Sequence, residues 1–240
     1  LIYGALMGGM ESVAIEFASQ LNKILKEGNF QEHSGDSFST NFLETYAALD
    51  VHVLIRFGRW EKILQLQFPT DTILMLTRAA TLRYARTLSY AALGEIRKAE
   101  IEALEFETLK CHSEALDRFQ HNNSLKQILD VNTPMLLGEI AYRKGHVDDA
   151  FNQLRRAVIL EDGLNFDEPW GRMQPARHAL GGLLLEQNQL VEAESVFCAD
   201  LKIHPYNPWS LVGLIKCKIL LLEDVKKKNA SNASVKDAEE

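Results

Sequence analysis

Cysteine and proline are both scarce in this chain of 240 residues, which contains three cysteines and six prolines. The cysteines, Cys111, Cys198 and Cys217, are odd in number and far apart, so they predict no disulfide framework, zinc site or redox motif. This pattern favours a reducing environment, and we expect a cytoplasmic protein. Leucine and alanine are abundant and the prolines lie mostly at expected helix boundaries, which favours an all-α fold.

A basic excess and long apolar runs are missing as well. The chain has 26 Lys and Arg against 33 Asp and Glu, a formal net charge of −7. A nucleic-acid-binding surface normally needs a basic stripe, so we expect no nucleic-acid partner, although helical RNA-binding repeats of similar unit length are an alternative. The most apolar run, 211–222, is interrupted by Lys216 and Lys218 and is too short to span a bilayer. We therefore expect no membrane segment.

Familiar catalytic and cofactor motifs are also missing. The sequence contains no Gly-x-Ser-x-Gly nucleophile elbow and no phosphate-binding loop of the Gly-Lys-Ser/Thr kind. Its seven histidines lie at no spacing that is standard for a metal site. We predict that the protein is not an enzyme and that it uses neither a cofactor nor a metal ion.

What the sequence does contain is a short phrase that recurs along the chain. A small or flexible residue ends one helix-like stretch, and an alanine follows five positions later on a second helix-like stretch. The copies are Gly9 with Ala14, Gly94 with Ala99, Gly145 with Ala150 and Asn188 with Ala193, and Gly58 with Ile63 is a weaker one. Glycine and asparagine tolerate the left-handed backbone of a tight turn, and alanine lets two helices approach closely. Each copy predicts a helical hairpin, and hairpins of this kind bury their apolar faces by stacking.

The residues around two of these turns carry a more specific resemblance. One copy contains Leu137, Gly138, Gly145, Ala150, Leu154 and Ala157, and the next contains Leu180, Gly181, Asn188, Ala193, Phe197 and Pro205. In this order they resemble the tetratricopeptide repeat, whose unit is about 34 residues long. The turns are unevenly spaced, as in a divergent group of such proteins. The resemblance implies an all-α, right-handed solenoid of stacked helix–turn–helix repeats.

The domain organisation follows from the same pattern. We predict one elongated domain over 1–224, built from about five helix pairs and a capping helix, with the first pair truncated. Because the chain lacks an initiating methionine and begins within a repeat, we expect the natural protein to extend further in the N-terminal direction. Residues 225–240 are polar, and we predict a disordered tail there.

In tetratricopeptide arrays the first helices of the repeats line a concave groove, so the resemblance implies that this chain binds a protein or a peptide there. By repeat position, the groove candidates are Tyr84, Leu88, Met135, Glu139, Tyr142, His178 and Leu185. The alternative for each of them is packing inside the superhelix. The resulting hypothesis is a non-catalytic scaffold or adaptor, and the sequence leaves its oligomeric state open.

An inserted loop over 162–173 supports a competing hypothesis. It contains Asp167, Trp170 and Arg172, and His178 follows shortly after it. A carboxylate and an imidazole can act together in general acid–base chemistry, and unusually long loops are often functional. The alternative function is therefore an enzyme or a small-ligand sensor that uses Asp167, Trp170 and His178. A loop whose charges pair locally is the purely structural explanation, and convergence of these side chains in one enclosed pocket would discriminate between the two.

Overall fold

The computed structural model describes residues 1–32, 37–168 and 171–236, and the described chain is predominantly helical, which confirms the all-α class. The helices are α1 (Ile2–Met7), α2 (Glu11–Ile24), α3 (Glu27–Glu32), α4 (Ser37–Glu44), a 3₁₀ turn (Thr45–Ala48), α5 (Leu49–Arg56), α6 (Trp60–Gln65), α7 (Leu76–Ala92), α8 (Ile96–Ala115), α9 (Leu125–Arg143), α10 (Val147–Asp162), α11 (Ala176–Glu186), α12 (Leu190–Ile203) and α13 (Pro208–Lys236). Two short antiparallel strands, β1 (Phe119–Gln120) and β2 (Asn123–Ser124), form a hairpin with Phe119 opposite Ser124.

The chain divides into two compact units, Leu1–Ala176 and Arg177–Glu240, where the sequence predicts a single elongated domain over 1–224. We call them the N-terminal unit and the C-terminal unit. The boundary falls at the beginning of α11, directly after the inserted loop that follows α10.

The five predicted turns all have the left-handed backbone that the sequence analysis expects. Gly9, Gly58, Gly94, Gly145 and Asn188 have φ between +57° and +82°. In each case the following residue donates its N–H to the carbonyl five positions earlier, as His146 does to Ala141 over 2.9 Å. This is the Schellman arrangement, which satisfies carbonyls at the end of one helix and reverses the chain. The next helix begins two residues after each turn residue.

The small residue five positions after each turn lies in a helix–helix contact. Ala14, Ala99, Ala150 and Ala193 are all fully buried, and so is Ile63 in the weaker copy. In the N-terminal unit the close approach is clearest between α9 and α10, where a Cβ on Gly138 would lie 2.9 Å from Cγ of Leu154. Only a glycine at this position allows α9 to pack so tightly on its partner.

Helices of the N-terminal unit pack on their neighbours in the chain and on the next helix but one. Helix α7 contacts α8 and α9, and α9 contacts α8 and α10. The contact between α7 and α8 is also polar, since Arg83 and Arg86 each donate a hydrogen bond of 2.7 Å to the carboxylate of Glu102. The buried Glu44 accepts a hydrogen bond of 3.0 Å from the backbone N–H of Arg78 in the first turn of α7.

Three helices of the C-terminal unit meet around Phe197 of α12. A Cβ on Gly181 of α11 would lie 2.7 Å from this ring, and a Cβ on Gly213 of α13 would lie 2.3 Å from it. Both glycines therefore leave room for the ring between the helices. Asn207 is the N-cap of helix α13, because its side-chain oxygen accepts a hydrogen bond from Ser210 N–H. Pro208 follows at the first helical position, where proline is well tolerated.

The polar tail differs from its sequence-based prediction. Helix α13 continues to Lys236, so most of the segment predicted as disordered over 225–240 is helical, while 237–240 lie outside the described residues. Extending an existing helix adds one hydrogen bond for each residue ordered, without a new nucleation step. Among the residues in the described ranges, none of the helices combines the length and the apolar character that crossing a bilayer requires.

Candidate functional site

The groove candidates divide into buried and partly exposed side chains. Tyr84, Met135 and Tyr142 are buried, and Leu88, Glu139 and Leu185 are partly exposed. The ring of Tyr84 contacts Phe106 of α8 and the ring of Tyr142 contacts Phe151 of α10, so the first helices bury these side chains against their neighbours. In the N-terminal unit this leaves Leu88 of α7 and Glu139 of α9 as the predicted groove residues that solvent reaches. Glu139 also accepts a hydrogen bond of 2.8 Å from Nε of Arg143, one turn later on α9.

The loop candidate Arg172 is buried at the centre of a polar network. Its guanidinium donates to Oε1 of Glu161 over 2.8 Å and to Oδ1 of Asn132 over 2.7 Å, and it lies 3.4 Å from the hydroxyl of Tyr84. The other carboxylate oxygen of Glu161 accepts the N–H of Ala176 over 2.7 Å. The network therefore joins the inserted loop to α7, α9 and α10.

Asp167 is buried and finds a partner that the sequence analysis did not identify. Its Oδ1 lies 3.4 Å from Nδ1 of His121, which follows β1 in the hairpin. His121 adopts a positive φ of 51° at the hairpin turn, and this turn brings it to the loop although the two residues are far apart in sequence. The pair of asparagines that follows, Asn122 and Asn123, is the sequence signal that could have indicated the turn.

A small cavity lies beside this Asp–His pair. It is lined by Thr45, Tyr46, Leu49, His52, Gln120, His121 and Met173 and has a volume of about 10 Å³. That is room for about one water molecule, whereas small-molecule sites usually measure several hundred Å³. Burial, assisted by the nearby charge of Arg172, lowers the pKa of His52 to about 4, so this imidazole is neutral at pH 7.

His178, the remaining member of the predicted loop cluster, has a different partner. Its Nε2 lies 2.8 Å from Oδ2 of Asp200 in the C-terminal unit, and the same oxygen accepts hydrogen bonds from Ser210 and Asn207. Burial acts to raise the pKa of Asp200, but the hydrogen bond from His178 and the other donors outweigh it and lower the pKa. The carboxylate thus connects α11, α12 and the beginning of α13.

Asp167 and His178 therefore each contact another residue of their own unit. Trp170 lies outside the described residues. Within the described part of the chain, no group of three or more His, Cys, Asp or Glu side chains is arranged to hold a metal ion. The polar side chains around the loop serve mainly to fix the loop and the helices on which it rests.

One loop residue that the sequence analysis did not select stands out in the structure. The side chain of Phe166 is 74% exposed, although it lies in a loop that is held by hydrogen bonds. Asn122 donates to the carbonyl of Phe166 over 2.8 Å, and Asn123 exchanges hydrogen bonds of 2.8 and 3.1 Å with the backbone of Asn165. The side-chain amide of Asn165 in turn donates to the carbonyl of Asn122 over 2.8 Å. An aromatic ring is thus presented to solvent from a fixed backbone.

Comparison of the chain with protein-family models, curated proteins and solved structures finds no match.

Proposed function

We propose that the chain is a tetratricopeptide-like helical scaffold that binds a peptide or protein segment and catalyses no reaction. The observation that carries this proposal is the exposure of Phe166 on a loop fixed by hydrogen bonds. Large aromatic side chains gain most from burial and dominate the energetics of protein interfaces. A ring held outward on a rigid support is suited to enter a pocket or to pack on an apolar segment of a partner.

The hydrogen bonds beneath Phe166 make binding more favourable. The hairpin asparagines hold residues 165 and 166 by four side-chain–backbone hydrogen bonds. A loop that is already ordered loses little conformational entropy when a partner binds, so more of the burial energy of the ring appears as affinity.

The surroundings of Phe166 indicate the chemistry of the partner. Glu168, two positions after Phe166, is exposed, and the whole chain carries a formal net charge of −7. Complementary charge favours encounter and specificity at interfaces. We therefore expect an apolar segment flanked by lysine or arginine. The partly exposed Leu88 and Glu139 of α7 and α9 offer a second contact surface of similar character.

Selection from a displayed peptide library on the immobilised chain tests this function. We expect recovered peptides to combine an apolar core with basic residues, and Phe166→Ala to weaken binding by about tenfold or more, as truncation of an aromatic anchor does. Phe166→Tyr keeps the ring and should retain affinity. Tyr206→Ala is the matched control, because Tyr206 is 89% exposed but belongs to the C-terminal unit.

Two outcomes are decisive. Failure to recover any peptide that binds reproducibly would overturn the scaffold proposal. A recovered peptide whose affinity is unchanged in Phe166→Ala but lost in Leu88→Glu would overturn the role of Phe166 and place the contact on the groove side of α7.

A further inference from the structure

Helix α13 has two apolar faces, of which only one packs within the C-terminal unit. On the inner face Gly213 and Cys217 are buried, and Gly213 contacts the Phe197 ring of α12. The outer face carries six apolar side chains that are 37–61% exposed: Leu211, Val212, Ile215, Ile219, Leu222 and Val225. We call this set the α13 stripe.

The spacing of the α13 stripe places its members on one side of the helix. Val212, Ile215, Ile219 and Leu222 follow one another at intervals of three and four residues, the spacing of helical residues that pack against another helix. From Leu211 to Val225 the stripe extends over about 20 Å of helix. A contiguous apolar helix face of this length that is exposed to solvent indicates a surface that another element covers.

Charged residues at the edges of the stripe indicate which element this is. Lys216 and Glu223 are both exposed and lie two turns apart on the same edge. On the other edge, the ammonium group of Lys218 is 2.5 Å from the carboxylate of Glu194 in the same chain, so its charge is already compensated. Lys216 and Glu223 thus offer a positive and a negative charge that can pair with opposite charges across an interface.

We propose that the α13 stripe is covered by the α13 stripe of a second copy of this chain, packed antiparallel about a twofold axis. In this arrangement residues on one edge of a helix face residues on the same edge of its partner, so Lys216 of each copy lies beside Glu223 of the other. A parallel pair would instead place this edge against the opposite edge of the partner helix, so Lys216 and Glu223 would not meet. The surface is therefore self-complementary in charge as well as apolar, as an isologous interface requires.

The size of the surface sets the expected strength of self-association. A single helix face of four turns is small compared with a standard protein interface, so the dimer belongs to the weak, reversible class. We expect a dissociation constant of about 1–100 µM. This inference concerns a face of the C-terminal unit and does not depend on the function proposed for Phe166.

Sedimentation equilibrium of the full chain under reducing conditions, over about 1–300 µM, tests the proposal. Reducing conditions prevent disulfides through the exposed Cys111. We expect a monomer–dimer equilibrium in the wild-type chain and a monomer in Ile219→Glu. Because Ile219 is half exposed, this variant should keep the thermal unfolding midpoint of the wild type, which distinguishes loss of contact from loss of fold.

A charge exchange provides the sharper test. Lys216→Glu replaces both Lys216–Glu223 contacts between the copies with pairs of like charge and should weaken the dimer by about three- to tenfold. The double variant Lys216→Glu/Glu223→Lys restores complementarity between copies and should recover the wild-type constant. A wild-type chain that stays monomeric throughout, as expected if another segment or a different protein covers the stripe, would overturn the proposal. So would a double variant as weak as Lys216→Glu.

Discussion

Charged residues such as Arg172 and Glu161 are buried in the N-terminal unit together with the residues that complete their hydrogen bonds. Arg172 illustrates this, since its guanidinium reaches Glu161, Asn132 and Tyr84 from three different helices. The sequence identifies Arg172 as a notable residue of an unusual loop. It does not identify the partners, because they lie 11, 40 and 88 positions away along the chain and are brought together by the helix packing. The role of a buried charge depends on such distant contacts.

Removal of one member of the Arg172 network should destabilise the fold strongly. Arg172→Met leaves the buried carboxylate of Glu161 without its counter-ion, and we expect a loss of about 3–5 kcal/mol in the free energy of unfolding. Chemical denaturation monitored by circular dichroism measures this value. Arg172→Met/Glu161→Gln removes the unpaired charge and keeps an acceptor for the N–H of Ala176, so it should recover part of the loss. A cost below about 1 kcal/mol for the single variant would show that the pair carries little stability.

At the scale of secondary structure, the turns are the elements that the sequence predicts best. Gly9, Gly58, Gly94, Gly145 and Asn188 form the left-handed turns that were expected, because the requirement for positive φ is local and nearly specific to glycine and asparagine. The β1–β2 hairpin was missed because its strands have two residues each and its partners are distant loop residues. The helix over 225–236 was not predicted, because a polar composition by itself suggests disorder, whereas here the helix continues from the apolar segment before it.

Substitutions at two of these left-handed turns should change the stability of the fold in opposite directions. Gly145 has φ +82° with no atom near its Cβ position, so Gly145→Ala should cost about 1 kcal/mol through backbone strain alone. Asn188→Gly, at the equivalent turn with φ 57°, should instead stabilise the chain by about 0.5 kcal/mol. Thermal unfolding of both variants gives these differences.

Gly182→Ala is the matched control for these turn variants. Gly182 lies inside α11, and no atom lies within 4 Å of its Cβ position. Alanine is favoured over glycine in a helix interior, so we expect this variant to gain about 0.5–1 kcal/mol. A destabilisation by Gly182→Ala equal to that of Gly145→Ala would contradict the explanation by backbone conformation.

At the scale of the whole molecule, the N-terminal unit contains a buried acid, Glu44, and a partly buried base, His52, whose pKa values shift in opposite senses. Burial raises the pKa of Glu44 to about 7, against which hydrogen bonds from Thr77 and Arg78 act only in part. Burial, together with Arg172, lowers the pKa of His52 to about 4. In both cases the folded chain favours the neutral form, which is the general consequence of placing an ionisable side chain among packed helices.

The two shifts have opposite effects on stability between about pH 4.5 and 6.5. In this range Glu44 holds more protons in the folded than in the unfolded chain, so its contribution to the free energy of unfolding falls as pH rises. His52 holds fewer protons in the folded chain, so its contribution rises with pH and is lost as pH falls towards 4. Each slope is at most about 1.4 kcal/mol per pH unit, and in the wild-type chain the two largely cancel.

Single substitutions should therefore reveal slopes of opposite sign. In Glu44→Gln the His52 contribution remains, so the free energy of unfolding should increase from pH 4.5 to 6.5 relative to its own value at pH 4.5. In His52→Gln the Glu44 contribution remains, so the free energy of unfolding should decrease over the same range, and the double variant should be nearly flat because it has neither group. Urea denaturation at five pH values in constant ionic strength measures all four profiles. Parallel profiles for the two single variants would show that neither Glu44 nor His52 is held neutral by the folded chain, since only an acid and a base that are both held neutral produce proton linkage of opposite sign.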